Sequence, residues 1–102
     1  MNHYTSRDGY KGIRSQSTWL FRAHKPPGSH PPGAYFTTLG PEAPHLAARL
    51  RIPRAKLEYI FSFRGSEELW PVEGGRGGYI FFSVDDYAVP SERQLGCGET
   101  GL

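Results

Sequence analysis

A histidine and a threonine stand two residues apart at the start of the chain, in the stretch NHYTSRDG over residues 2–9. Residues i and i+2 of a β-strand project from the same face, so this spacing predicts that the His3 imidazole and the Thr5 hydroxyl lie side by side. Together they offer hydrogen bonds to a sugar hydroxyl and to an amide. A lone histidine near a terminus is also an ordinary solvent-exposed residue, so the hypothesis needs partners further along the chain.

A glycine and a tyrosine with the same spacing occur in PPGAYFTTL, residues 31–39. Gly33 would allow the backbone to approach a ligand closely, and Tyr35 would offer the face of its ring. Such a face suits a flat cationic ring, which gains both stacking and cation–π attraction. The alternative is a strand that simply belongs to the core.

Carboxylates follow an apolar stretch in SVDDY, residues 83–87. If the strand continues, Asp85 and Asp86 point to opposite faces, so one of the two enters any cleft there. The competing interpretation is a turn, which favours aspartate. Glu58, in KLEYIF, is a third candidate acid, on the more solvated side of its strand.

Composition predicts one α+β domain with a modest core. The 102 residues are 37% hydrophobic and include 13 glycines and 9 prolines, which disfavours long helices. Cys97 is the single cysteine, so no intrachain disulfide forms. The histidines and this cysteine show no metal-ligand spacing, and neither a membrane span nor a signal peptide is visible. The net charge of +2 is too small to indicate nucleic-acid binding by itself.

The order of elements indicates mostly antiparallel sheets with short helices. Thr5 or Ser6 is expected to cap the first helix, and Pro41 and Pro44 to occupy the first turn of the second. A domain over residues 1–95 would be followed by a flexible tail over 96–102. The predicted strands cover 2–5, 17–24, 34–39, 56–63 and 78–84, with a last edge strand ended by Pro90, and the predicted helices cover 7–16 and 40–52.

Taken in order, these motifs resemble the ADP-ribosyltransferase superfamily, most closely its small toxin-type members with a His-Tyr-Asp triad. The resemblance lies in HYTS, GAYFTTLGPEAPHLAARL, KLEYIFSF and GYIFFSVDDYAV, which span residues 3–89. It implies a split pair of mostly antiparallel sheets with NAD, the substrate, in the cleft between them. It also implies that nicotinamide is released and ADP-ribose is transferred to a macromolecule, either protein or nucleic acid.

The resemblance also implies a role for each motif residue. His3 would bind ribose hydroxyls, the Tyr4 backbone would meet the nicotinamide carboxamide, and Thr5 would support it. Tyr35 would stack on the nicotinamide ring. The acid at the nicotinamide ribose would be Asp86, because DYAV matches the Glu-Tyr-Ile-Val strand of the poly-ADP-ribose polymerases; Asp85 and then Glu58 are the alternatives.

Further residues would complete the site. Gly33 would let the backbone approach NAD, and Arg22, just before the proline-rich loop over 25–33, would meet the pyrophosphate. In larger members of the family, a second tyrosine forms a wall of the nicotinamide site. This chain has His45 and Leu46 at that place, so that wall is altered. The stretch WPVEGGRGG, with Trp70 and Arg76, is a candidate contact for the acceptor, and its alternative is a flexible connector with a buried tryptophan. The alternative for each basic residue is a solvated face.

Other functions stay open at the level of sequence. Water as the acceptor would make the protein an NAD glycohydrolase, and the same fold without catalysis would be an NAD- or ADP-ribose-binding module. A nucleic-acid binder is disfavoured, since basic residues do not alternate with exposed aromatic ones. The chain is expected to act as a monomer in a reducing cytoplasmic compartment, to bind no membrane and no metal, and to be a toxin or effector domain.

Overall fold

Strands dominate the structure, a computed structural model that describes residues 1–25, 31–72 and 78–102. The expected α+β class, with mostly antiparallel sheets and short helices, is confirmed in these ranges. Two 3₁₀ turns accompany the regular elements, at Arg54–Leu57 and Ser91–Arg93. The regular elements of the described ranges are β1 (Asn2–Thr5), α1 (Arg7–Arg14), β2 (Trp19–Phe21), β3 (Ala34–Thr37), α2 (Leu46–Leu50), β4 (Tyr59–Phe63), β5 (Trp70–Pro71), β6 (Ile80–Ser83), β7 (Tyr87–Val89) and β8 (Gln94–Glu99).

The strands form a large sheet and a small one. Across the part of the chain that the structure describes, the large sheet has the order β5-β6-β3-β1-β4-β8, and the small sheet pairs β2 with β7. Each of these neighbouring pairs is antiparallel. The edge strand expected before Pro90 is β7, which pairs with β2 in the small sheet.

The main core lies between the two sheets. Alternation along each strand turns every second side chain inward, so one face of the small sheet packs on one face of the large sheet. This cluster contains Trp19, Phe21, Tyr87 and Val89 from the small sheet and Ala34, Phe36, Phe61 and Phe63 from the large one. On the opposite face of the large sheet, Tyr4 packs with Leu46 of α2 and Leu57.

The first helix follows the expectation closely. Ser6 is its N-cap, and the side chain of Ser6 accepts a hydrogen bond from the Gly9 N–H at 3.4 Å. Tyr10 and Ile13, three residues apart, both pack against the main core. The helix depends on this packing, because two glycines weaken its intrinsic stability.

The second helix is much shorter than the expected range of 40–52. It covers Leu46–Leu50, and both prolines lie in turns before it. His45 and Arg51, on either side of the helix, have left-handed backbone conformations with φ of 57° and 56°. Pro44 removes a backbone donor and disfavours helical backbone at the residue before it. The expectation that the prolines form the first helical turn is therefore corrected.

The tail expected over residues 96–102 is also corrected. Residues 94–99 form β8, which pairs with β4 from Tyr59↔Glu99 to Phe63↔Gln94. Beyond the strand, the Thr100 N–H donates to the Glu58 carbonyl at 2.9 Å. The glycines of this segment leave no hydrophobic alternation, so the sequence carried no sign of a strand whose stability comes from its partner. Parts of two predicted loops, residues 26–30 and residues 73–77 with Arg76, lie outside the described residues.

Candidate functional site

The neighbouring strands β1 and β3 diverge. Among the described residues they pair at one position, Asn2↔Thr37, whereas β1 pairs with β4 along all four of its residues. Two residues before Thr37, the Tyr35 carbonyl accepts a hydrogen bond from the His3 side chain at 3.2 Å. Two residues earlier again, Gly33 exchanges backbone hydrogen bonds with His24 at 3.0 and 2.8 Å. We call the stretch between these contacts, where the described β1 and β3 backbones are not paired, the β1/β3 opening, and it is the candidate site.

The imidazole of His3 is partly buried at this opening. Its ring lies 4.7 Å from that of Phe21 and 5.6 Å from that of Phe36, measured between centroids. Burial lowers the pKa of His3 to about 4, the hydrogen bond with the Tyr35 carbonyl opposes this, and the charge of His24 adds to it. Since a carbonyl only accepts, Nδ1 carries the proton, and Nε2 is an acceptor suited to a hydroxyl group at neutral pH.

The side chains of Tyr4 and Thr5, which follow His3 in β1, lie on opposite faces of the sheet. Thr5 shares the face of His3, as the sequence predicts, and its hydroxyl lies so close to Gly9 that a Cβ there would clash. Tyr4 lies on the opposite face, where its hydroxyl donates to the Leu39 carbonyl at 2.9 Å. Burial, and secondarily the charge of Glu42, raise the pKa of Tyr4 to about 12. The backbone role expected for Tyr4 stays a prediction.

Tyr35 contributes its backbone to the opening and its ring to the other face of β3. The ring stacks on that of Phe82, its partner on β6, at 5.6 Å and 18°. It also meets the ring of His24 edge-on at 6.3 Å, and its hydroxyl donates to the Pro31 carbonyl. Burial raises the pKa of Tyr35. The structure therefore joins His3 to Tyr35 through a carbonyl, with the two side chains on opposite faces.

Packing between strands requires glycine at position 33. A Cβ at this position would clash with the backbone carbonyl oxygen of Ser83, where β3 and β6 approach each other closely. This contact explains the residue without a ligand, and the predicted close approach to NAD stays a prediction.

The three candidate acids differ in their relation to the opening. Asp86, just before β7, accepts a hydrogen bond through Oδ1 from the Ala23 N–H at 2.7 Å. Ala23 adjoins His24, so this contact ties Asp86 to the end of the opening. The Asp85 carbonyl accepts from the Ser83 hydroxyl at 2.9 Å, which is a local turn contact. Glu58 precedes β4, and β1 separates that strand from β3.

Two other predicted contacts have clear positions. Arg22 is exposed directly after β2. In the altered wall, His45 is exposed, and Leu46 is buried beneath Tyr4 rather than facing the opening. Sequence reasoning did not place His24 in the site, and its imidazole is exposed in the structure. No local pattern marks its pairing with Gly33, because that pairing joins two segments across the loop.

Comparison of the chain with family models, curated proteins and solved structures finds no match. Within the described ranges, no group of three or more histidine, cysteine, aspartate or glutamate side chains is arranged to hold a metal ion. In the same ranges, no helix has the length and apolar character needed to cross a membrane.

Proposed function

We propose that this protein cleaves NAD at the β1/β3 opening and transfers ADP-ribose to a macromolecular acceptor. The observation that carries the proposal is the divergence of β1 and β3. At that point the His3 side chain, rather than the β1 backbone, contacts the Tyr35 carbonyl. The sequence resemblance adds the residue types His, Tyr and Asp in matching order.

The chemistry follows from these groups. The neutral His3 imidazole accepts a hydrogen bond from a ribose hydroxyl through Nε2. Nicotinamide leaves with the electron pair of its bond to C1′, which converts the cationic ring into a neutral molecule. The sugar then has oxocarbenium character, and the Asp86 carboxylate stabilises this charge. The nucleophile of the acceptor bonds to C1′ and gives its proton to water.

A second function is favoured by one contact. The Oδ1 atom of Asp86 already accepts the Ala23 N–H at 2.7 Å, which is the behaviour of an aspartate that fixes a chain segment. On that interpretation the protein binds NAD or ADP-ribose and does not cleave it.

The test is release of nicotinamide from NAD by the purified chain, with and without cell lysate as a source of acceptors. Asp86→Asn keeps an oxygen acceptor for the Ala23 N–H and removes the negative charge, and Asp85→Asn is the matched control. We expect Asp86→Asn to lower the rate about a hundredfold. We expect Asp85→Asn to change it less than threefold, with both thermal midpoints near the native value.

The outcomes separate the candidate functions. No release by the native chain, together with binding of ADP-ribose, would establish the binding module instead. Equal release by the native chain and Asp86→Asn would show that Asp86 is not the acid. NAD labelled in its adenine distinguishes the acceptors, because the label enters macromolecules in a transferase and appears as free ADP-ribose in a glycohydrolase.

A further inference from the structure

His24 lies at the end of the β1/β3 opening with its backbone fixed on both sides. Its N–H donates to the Gly33 carbonyl at 3.0 Å, and its carbonyl accepts from the Gly33 N–H at 2.8 Å. One residue earlier, the Ala23 N–H donates to Asp86. These hydrogen bonds use the backbone of His24, so the fold positions the side chain without depending on it.

The imidazole of His24 is exposed and close to both proposed ligand-binding residues. Its ring meets that of Tyr35 at 6.3 Å and 63°. An electrostatic contribution from His24 also lowers the pKa of His3, after the larger effect of burial. A ligand that contacts the Tyr35 ring therefore lies beside His24.

The charge around His24 favours an anion. Arg22 and Lys25, on either side of it in the chain, are both exposed. Among the described hydrogen bonds, the acid brought to this segment is Asp86, whose Oδ1 is directed at the Ala23 N–H. A segment with two cations and an imidazole suits an oxyanion, because each group donates to it.

We propose that His24 binds a diphosphate oxygen of the dinucleotide through an imidazole N–H, with Arg22 and Lys25 supplying positive charge beside it. The assignment rests on the proposed function, since NAD is taken as the ligand. The diphosphate then lies at the end of the opening marked by Gly33, and the nicotinamide ribose extends from it towards His3.

The experiment measures the dissociation constants of ADP-ribose and of nicotinamide by calorimetry. His24→Phe keeps an aromatic edge against Tyr35 and removes the N–H donor, and His24→Gln restores a donor. Lys11→Gln is the matched control, since it replaces an exposed basic side chain of α1 that has no part in the proposed site. Thermal midpoints verify that all variants fold.

We expect His24→Phe to weaken ADP-ribose binding tenfold or more, which corresponds to the loss of a hydrogen bond to a charged group. His24→Gln should recover most of this loss, and Lys11→Gln should match the native chain. Nicotinamide, which has no phosphate, should bind all four proteins within twofold. Unchanged binding of ADP-ribose by His24→Phe would overturn the assignment, as would a native chain that binds no ADP-ribose.

The failure of this assignment is distinguishable from failure of the proposed function. A chain that binds ADP-ribose through His24 but releases no nicotinamide from NAD contradicts the cleavage reaction alone. Release of nicotinamide with unaltered ADP-ribose binding in His24→Phe contradicts the assignment of His24 alone.

Discussion

Burial of the His3 imidazole makes its neutral form important for stability as well as for chemistry. The folded chain holds the pKa of His3 near 4, below its usual value of 6.5. The unfolded chain therefore binds a proton at a higher pH than the folded chain does. The resulting stability is fully present above pH 6.5 and is lost as the pH falls towards 4.

This linkage predicts a pH-dependent free energy of unfolding. Between pH 7 and pH 5, the native chain should lose about 2 kcal/mol more than His3→Gln, which has no titrating ring. Urea denaturation of both proteins at the two pH values measures the difference, and titrations shared by both chains cancel. Equal losses in the two proteins would contradict the buried, neutral imidazole; an imidazole NMR titration midpoint above 6 would do so directly.

At the scale of elements, substitutions at two glycines test how the packing of strands and helix contributes to stability around the site. Gly33→Ala places a methyl group against the Ser83 carbonyl and should destabilise the fold by about 1–3 kcal/mol. Gly12→Ala, in α1, has no neighbouring atom within 4 Å and should stabilise by about 0.5–1 kcal/mol. Thermal unfolding should therefore show the midpoint falling by about 5 °C or more for the first and rising by a few degrees for the second.

A different result for Gly33→Ala would assign this glycine to ligand binding. If Gly33→Ala left the midpoint unchanged and weakened only NAD binding, the glycine would serve the ligand and not the contact between β3 and β6.

Elements with a local signal were predictable, and elements that depend on distant partners were not. The cap at Ser6 and the apolar spacing of Tyr10 and Ile13 were sufficient to predict α1. The sequence of β8 has no alternation, and its pairing with β4 supplies what propensity lacks. For the same reason the type and order of His3, Tyr35 and Asp86 were visible in the sequence, whereas the proximity of His24 depends on the fold.

For the whole molecule, β8 decides whether the large sheet ends in a paired strand or in an exposed β4. Removing residues 96–102 takes away the β8 residues paired with four of the five residues of β4, and also the Thr100 hydrogen bond to the Glu58 carbonyl. Each lost hydrogen bond costs about 0.5–1.5 kcal/mol, so the thermal midpoint should fall by about 10 °C or more.

A shorter truncation provides the matched control for this prediction. Residues 101–102 are exposed and lie beyond the last strand, so their removal should shift the midpoint by no more than about 2 °C. Hydrogen exchange then locates the effect, because the amides of β4 that face β8 should lose protection only in the longer truncation. Equal midpoints for the two truncated chains would mean that residues 96–99 behave as a tail. The large sheet would then end at β4, whose exposed edge would be open to pairing with other chains.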